Sequence, residues 1–304
     1  MEIMAQDLFE QVPCNLCGGN DYRVCIRPTN RSFDPSAVFS ASGGIRGTQQ
    51  IVKCRQCGLL YVNPRIKTDH VLGAYSSAVD ELYLSQEEGR KQTFTRSFGL
   101  IERYVRGPGK ILDVGAAGGF FLQVAKEKGW EPYGVEPSRW MAEWGNRRFG
   151  VNIKPCTLRA AVFSDDFFDV ITMWDVLEHT SDPLAELAEA HRILKDGGII
   201  VINFPDTGSW PAFLAGSKWW FYLSVHLYYF TADTIGRMLA KAGFFPLAFR
   251  QHWQQLNLEH ITKMAGLYHK PLSEAGLKIV RALRMGQCPV PYYAGQTNVI
   301  ARKI

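Results

Sequence analysis

Between residues 110 and 206 the apolar positions switch repeatedly between two periods. Short apolar runs at 110–114, 132–136, 168–174 and 199–203 have strand length. The stretches between them place apolar side chains three and four residues apart, the spacing of one helical face. The punctuation agrees with this pattern. Gly129 and Gly150 stop helices over 120–128 and 139–149, and Ser138 caps the second. Asp182-Pro183 opens another helix with proline in its first turn, and Gly197-Gly198 is read as its stop. Thr231 caps a later helix ending at Gly243, and 245–251 and 298–302 read as the last two strands. Between those strands lies a mostly helical insertion, 254–292, with a helix over 273–285. Alternation of this kind predicts an α/β fold: a mostly parallel sheet with helices on both faces.

Residues 1–69 break the pattern and carry two matched cysteine pairs, Cys14-Asn15-Leu16-Cys17 and Cys54-Arg55-Gln56-Cys57, each followed by glycine. Two such knuckles supply four thiolates for a tetrahedral Zn²⁺ site, and with every position filled by protein the site is expected to be closed and structural. The 36 residues between the pairs exceed ordinary zinc-ribbon spacing and predict an inserted β-rich loop that includes 31–47. Cys25, Cys156 and Cys288 have no partner pattern. The sequence thus divides into a zinc-binding domain, 1–69, and a second domain, 70–304, whose segment 207–230 is rich in aromatic residues. A net charge of +5 is mild, and eight Lys or Arg against six Asp or Glu in residues 1–69 weigh against a nucleic-acid grip. No apolar run reaches the roughly 18 residues of a membrane span, and Met1–Gln11 does not read as a signal peptide, so a cytoplasmic location is expected.

The chemistry centres on Asp113-Val114-Gly115-Ala116-Ala117-Gly118-Gly119, where a strand ends in small residues and feeds a helix. Small residues let backbone amides approach a ligand, and the helix N-terminus adds positive dipole. An acid about 20 positions on should take a ribose hydroxyl pair, and Glu136 stands there. A nicotinamide dehydrogenase uses the same logic, but lacks an acid before the first glycine. With Asp113 in that place, 112–119 resembles the first motif of class I S-adenosylmethionine-dependent methyltransferases. Further stretches resemble the family in order: Phe168-Asp169-Val170-Ile171, Trp174-Asp175-Val176-Leu177-Glu178-His179, Leu194-Lys195-Asp196-Gly197-Gly198, and 230–244. Ala117 departs from the motif's middle glycine, which is harmless unless the residue needs a positive φ.

The resemblance covers 100–250 and implies a Rossmann-like methyltransferase sheet of seven strands. It places Asp113, Gly115, Ala116, Ala117, Gly118 and Gly119 around the methionine part of the cofactor. It places Glu136 on the ribose, Pro137, Thr157 and Leu158 by the adenine, and Trp174 and Asp175 at the methionine end. The N-terminal zinc knuckle also resembles sugar C-methyltransferases of the deoxysugar type, without their additional C-terminal domain. The expected acceptor is therefore a small molecule: a sugar, nucleotide-sugar or related metabolite. An RNA methyltransferase and a non-enzymatic cofactor-binding scaffold are the alternatives, and the oligomeric state is open. Segment 207–230 follows the fifth strand, so its rings either wall the acceptor site or pack as core. A base would serve a hydroxyl or carbon acceptor. His226 is the first candidate because it lies in that segment, and His179 is the second.

Overall fold

The computed structural model describes residues 8–29, 47, 49–67, 81–266 and 269–304. Five short strands open the chain: β1 (Phe9–Glu10), β2 (Tyr22–Ile26), β3 (Ile51–Cys54), β4 (Leu60–Val62) and β5 (Arg65–Ile66). The central sheet follows with β6 (Lys110–Val114), β7 (Glu131–Val135), β8 (Asn152–Lys154), β9 (Phe168–Trp174) and β10 (Leu194–Pro205). After β11 (Tyr228–Tyr229) come β12 (Phe244–Gln251), a hairpin-like pair β13 (Gln254–Asn257) and β14 (Pro289–Tyr292), and β15 (Gln296–Lys303). The central sheet has seven strands in the order β12-β15-β10-β9-β6-β7-β8. Strands β6 to β10 run parallel, and β15 is antiparallel to both its neighbours. The mostly parallel sheet expected from the alternation is present, with the seven strands that the resemblance implies.

The centre of this sheet is apolar on both faces, as a covered parallel sheet requires. In β10, Ile200, Ile202 and Phe204 join one core cluster while Ile199 and Val201 join the other. The predicted caps are made. Ser138 Oγ accepts from Met141 N at 3.3 Å, Asp182 Oδ1 accepts from Ala185 N at 3.1 Å, and Thr231 and Thr234 form a capping box. One stop moves. The helix opened by Pro183 ends at Ile193, and Leu194 already pairs with Phe168 as the start of β10. Gly197, at φ +71°, therefore falls in an irregularity of the strand and does not end the helix.

The N-terminal strands share a sheet with a later segment of the chain. Their four-stranded sheet has the order β11-β4-β3-β2, so its last strand comes from the aromatic segment, with Tyr228 opposite Tyr61 and Tyr229 opposite Leu60. Asn15 adds side-chain bonds to Asp182 and Leu184, and Lys241 Nζ donates to Leu16 O. The predicted boundary at 69–70 and residues 31–46 of the predicted inserted loop lie outside the described residues. Within the 254–292 insertion, helices span Leu258–Ala265 and Lys270–Ala282. No helix among the described residues is long and apolar enough to cross a membrane.

Part of the aromatic segment packs as core, while Trp210 and Phe213 are exposed. Trp219, Tyr229 and Phe230 are buried, and Trp219 packs edge-on against Phe221 and Tyr222. Trp219→Ala is therefore expected to lower the unfolding free energy by about 3–5 kcal/mol. Chemical denaturation monitored by fluorescence and circular dichroism checks this, and a loss under about 1 kcal/mol would contradict a core role.

Candidate active site

The loop after β6 is built around one buried carboxylate. Gly115 N and Ala116 N donate to Val135 O at 2.8 and 3.0 Å, which draws the loop against the end of β7. Gly115 sits at φ +70°, and a Cβ there would lie 2.6 Å from Val176 Cγ2, so no other residue fits without displacement. Ala117 is also left-handed, at φ +46°, and its N–H donates to Glu136 Oε2 at 2.9 Å. Ser138 N donates to the other oxygen, Oε1, at 2.8 Å. Glu136 is 5 % exposed, and burial raises its pKa against the opposing pull of the Ser138 and Ala117 amides.

This loop opens into a cavity of about 760 Å³. Of the residues expected to hold a cofactor, Gly115, Ala117, Glu136, Pro137, Thr157, Leu158, Trp174 and Asp175 line it. Asp113, Ala116, Gly118 and Gly119 do not. Asp113 lies under the loop, 2 % exposed, and its Oδ1 accepts from Thr172 Oγ1 at 2.7 Å. Burial pushes its pKa up to about 8, against the Thr172 bond and helped by the nearby Glu136 charge. Gly118 is packed where a Cβ would meet Leu84 and Trp144, and Gly119 precedes the helix Phe120–Glu127. Asp169 is structural: it accepts from Lys110 N and pairs with Lys195.

Besides Asp175, the lining holds polar groups that the sequence did not signal, Arg90 and His252 among them. Arg90, on the helix Glu87–Ile101, stacks its guanidinium 3.8 Å over the Tyr83 ring. Asp175, at φ +53°, is exposed to the cavity. Desolvation there raises its pKa to about 6, while the Arg90 charge and a bond from Gln296 pull it down. Gln254 and Gln255 line it beside His252.

Of the two candidate bases, His179 lines the cavity and His226 stands behind it, 4 % exposed, with the rings 4.6 Å apart and edge-on. His179 Nδ1 lies 2.9 Å from Val225 O, and His226 Nδ1 lies 2.8 Å from Phe221 O. A carbonyl only accepts, so both Nδ1 atoms carry the hydrogen and each neutral ring has its lone pair on Nε2. Burial lowers the His179 pKa to about 4, partly offset by the Val225 carbonyl. Burial, reinforced by His179, holds His226 well below its ordinary value. Glu178, 1 % exposed, sits with ligand atoms of both histidines all within 4.8 Å of one another. Burial, with the Asp175 charge, lifts its pKa well above its ordinary value. From the aromatic segment only Val225 and Leu227 reach the cavity.

The two cysteine pairs converge as predicted. The sulfurs of Cys14, Cys17, Cys54 and Cys57 all lie within 4.8 Å of one another, with Cys14 and Cys57 at 3.3 Å and Cys17 and Cys54 at 3.5 Å. Backbone bonds Gly18 N to Cys14 O (2.7 Å) and Gly58 N to Cys54 O (3.0 Å) close the knuckles.

The sequence profile described as a methyltransferase domain matches residues 87–248. The chain belongs to the methyltransferase domain family. A ubiquinone biosynthesis O-methyltransferase of Cereibacter sphaeroides is 26 % identical over 150 residues, 45 % of this chain and 61 % of the relative. One of the same description from Pseudomonas fluorescens is 30 % identical over 100 residues, 31 % of this chain and 43 % of the relative. The chain thus aligns with less than two thirds of these relatives' lengths. The crystal structure of a SAM dependent methyltransferase from Archaeoglobus fulgidus superposes with a TM-score of 0.51 at 19 % identity, covering 73 % of this chain and 99 % of that one. At that identity it shows the shared fold.

In this methyltransferase domain the cavity lining combines the carboxyl groups of Glu136 and Asp175, the Arg90 guanidinium and the His179 imidazole with apolar side chains. Arg90 and His252 escape a reading of the sequence because Arg90 lies on a helix whose periodicity says only helix and His252 lies in the link between β12 and β13, and tertiary packing alone brings them in.

Two outcomes follow. An alanine held left-handed costs about 1–2 kcal/mol, of which glycine's extra unfolded-state freedom returns about 0.4–1, so Ala117→Gly should raise stability by about 0.5–1 kcal/mol in urea titrations. Asp113 has a folded pKa near 8 against 3.8 unfolded, so between those values the unfolded chain binds fewer protons and stability falls as pH rises. Asp113→Asn lacks that titration, so its melting temperature should fall less than that of the parent between pH 4 and pH 8. Equal slopes would contradict the assignment.

Proposed function

We propose that this chain transfers a methyl group from S-adenosylmethionine to a hydroxyl oxygen of a small-molecule acceptor, of the sugar, nucleotide-sugar or related-metabolite class. One observation carries the reading: a single cavity holds both Glu136, beside the glycine-rich loop, and His179, a neutral imidazole with its lone pair on Nε2. Its volume suits a cofactor with a small partner and is too small to enclose a polymer. The O-methyltransferase relatives support oxygen as the methylated atom.

When bound, the cofactor supplies an electrophilic sulfonium methyl. Glu136 would take the ribose hydroxyls on the lone pairs not used by Ala117 and Ser138. Pro137, Thr157 and Leu158 would border the adenine, Arg90 would hold the carboxylate of the methionine part, and Asp175 would face its positive charge. His179 would receive the acceptor's hydroxyl proton at Nε2, with Val225 O steadying the imidazolium through Nδ1–H. The apolar walls exclude water from the methyl donor, and positioning contributes the rest of the rate. We infer further that Cys14, Cys17, Cys54 and Cys57 hold a structural Zn²⁺, because four converging thiols match its donor set.

Three measurements test this. Incubation of the protein with methyl-labelled cofactor and fractionated cell extract is expected to label the small-metabolite fraction. Label confined to RNA, or no label despite cofactor binding, would overturn the reading. His179→Gln should lower turnover by about 10²-fold or more with S-adenosylhomocysteine affinity unchanged, whereas His226→Gln should act more weakly. Elemental analysis should find about one zinc per chain, and Cys54→Ser should lose the metal and melt at lower temperature. A metal-free protein of full stability would remove zinc from the account.

A further inference from the structure

A line of side-chain amides runs behind the cavity, and its direction is fixed at one end. Gln296 Nε2 donates to the Asp175 carboxylate and to Asn203 Oδ1, the latter at 3.1 Å. Asn203 Nδ2 donates to Asn298 Oδ1 at 2.9 Å, and Asn298 Nδ2 lies 3.1 Å from His252 Nδ1. Gln254 Nε2 donates to Gln296 Oε1 and holds the first amide the same way round. Gln296, Asn203, Asn298 and His252 are all buried, so water does not scramble the order. An ionised carboxylate only accepts, which turns the Gln296 nitrogen toward it. Each following amide must then present oxygen upstream and nitrogen downstream. His252 Nδ1 meets a donor, so it is the lone-pair nitrogen and Nε2 carries the hydrogen.

His252 borders the cavity beside Trp174, their rings 6.0 Å apart. It has the opposite tautomer from His179, whose Nδ1 faces a carbonyl. It also stands at the opposite side of the sheet from the ribose end: His252 follows β12, Glu136 follows β7, and four strands lie between. We propose that His252 is an acceptor-binding residue whose Nε2–H donates to a second oxygen of the acceptor, in a tautomer set by Asp175 through Gln296, Asn203 and Asn298. This rests on the methyltransferase reading for the identity of the ligand. It adds a substrate class: the acceptor carries, besides the hydroxyl that is methylated, another lone-pair oxygen, as carbonyl, ether or hydroxyl. A molecule without that oxygen leaves a buried donor unpaired and is discriminated against.

The test begins with long-range ¹H–¹⁵N spectra of the whole protein at pH 7.5, with the His252 signals assigned through His252→Gln. A single Nε2-protonated tautomer is expected, and an Nδ1-protonated or averaged ring would overturn the proposal. Asn298→Asp replaces the donor with a carboxylate and should reverse the tautomer. If that variant does not fold, Asn298→Ala should give averaged shifts, and an unchanged ring in either would sink the relay. In the extract-labelling assay at limiting extract, His252→Phe should cut the initial rate at least about tenfold, with partial recovery in His252→Gln, and S-adenosylhomocysteine binding by calorimetry should be the same in all three. Equal rates for His252→Phe and the parent would overturn the binding role. Failure of the parent to bind S-adenosylhomocysteine would instead fall on the methyltransferase reading and leave the tautomer measurement standing.

Discussion

A carboxylate buried in this protein has to be surrounded by donors, and Glu136 meets that requirement with two backbone amides from opposite sides. Ala117 belongs to the turn after β6 and Ser138 to the start of the helix after β7, so one side chain joins the carboxyl ends of two neighbouring strands. The join dictates the rest. Ala117 must turn its N–H inward, which forces the left-handed backbone, and Gly115 must pass so close to Val176 that no side chain fits. The crevice at the strand ends is the space left by these restraints, and the acid that shapes it faces into it.

Elsewhere in the cavity the same problem is solved differently. Asp175 has one donor from Gln296 and an arginine nearby, while burial shifts Glu178 and the two histidines toward their uncharged forms. The cavity lining therefore combines carboxyl groups and an arginine with an imidazole whose pKa is lowered by burial. Neutral imidazoles are suited to taking a proton without first having to lose one, and backbone carbonyls fix which nitrogen does so.

How much of this is legible in the sequence depends on whether the signal is local. Strand ends, caps and the acid spaced after the loop are written in consecutive residues, so the chain itself marks the places of Glu136, Ser138, Asp182 and Thr231. Both cysteine knuckles are legible for the same reason. The conformation of Ala117 is not, because nothing in its neighbours says that its N–H is needed by a carboxylate 19 residues away. Asp113 carries the family pattern but serves from beneath the loop through Thr172 on β9, a partnership made only by strand pairing. The aromatic segment misleads by composition. Its rings could stack on a ligand or on one another, and those of Trp219, Phe221 and Tyr222 pack on one another. His226, the first candidate base because it lies in that segment, reaches the cavity only through His179, the second.

The pairing of β11 with β4 bears on how the chain comes off the ribosome. The knuckles at Cys14 and Cys54 can gather early, but the outer edge of their sheet stays open until Tyr228 and Tyr229 have emerged, 166 residues or more after Val62. Until then β4, with Tyr61 at its middle, offers unpaired backbone to any passing strand. Leu227, next to β11, donates its N–H to Glu178 O and borders the cavity. Completion of the N-terminal sheet and completion of this part of the cavity lining are therefore one late event in synthesis.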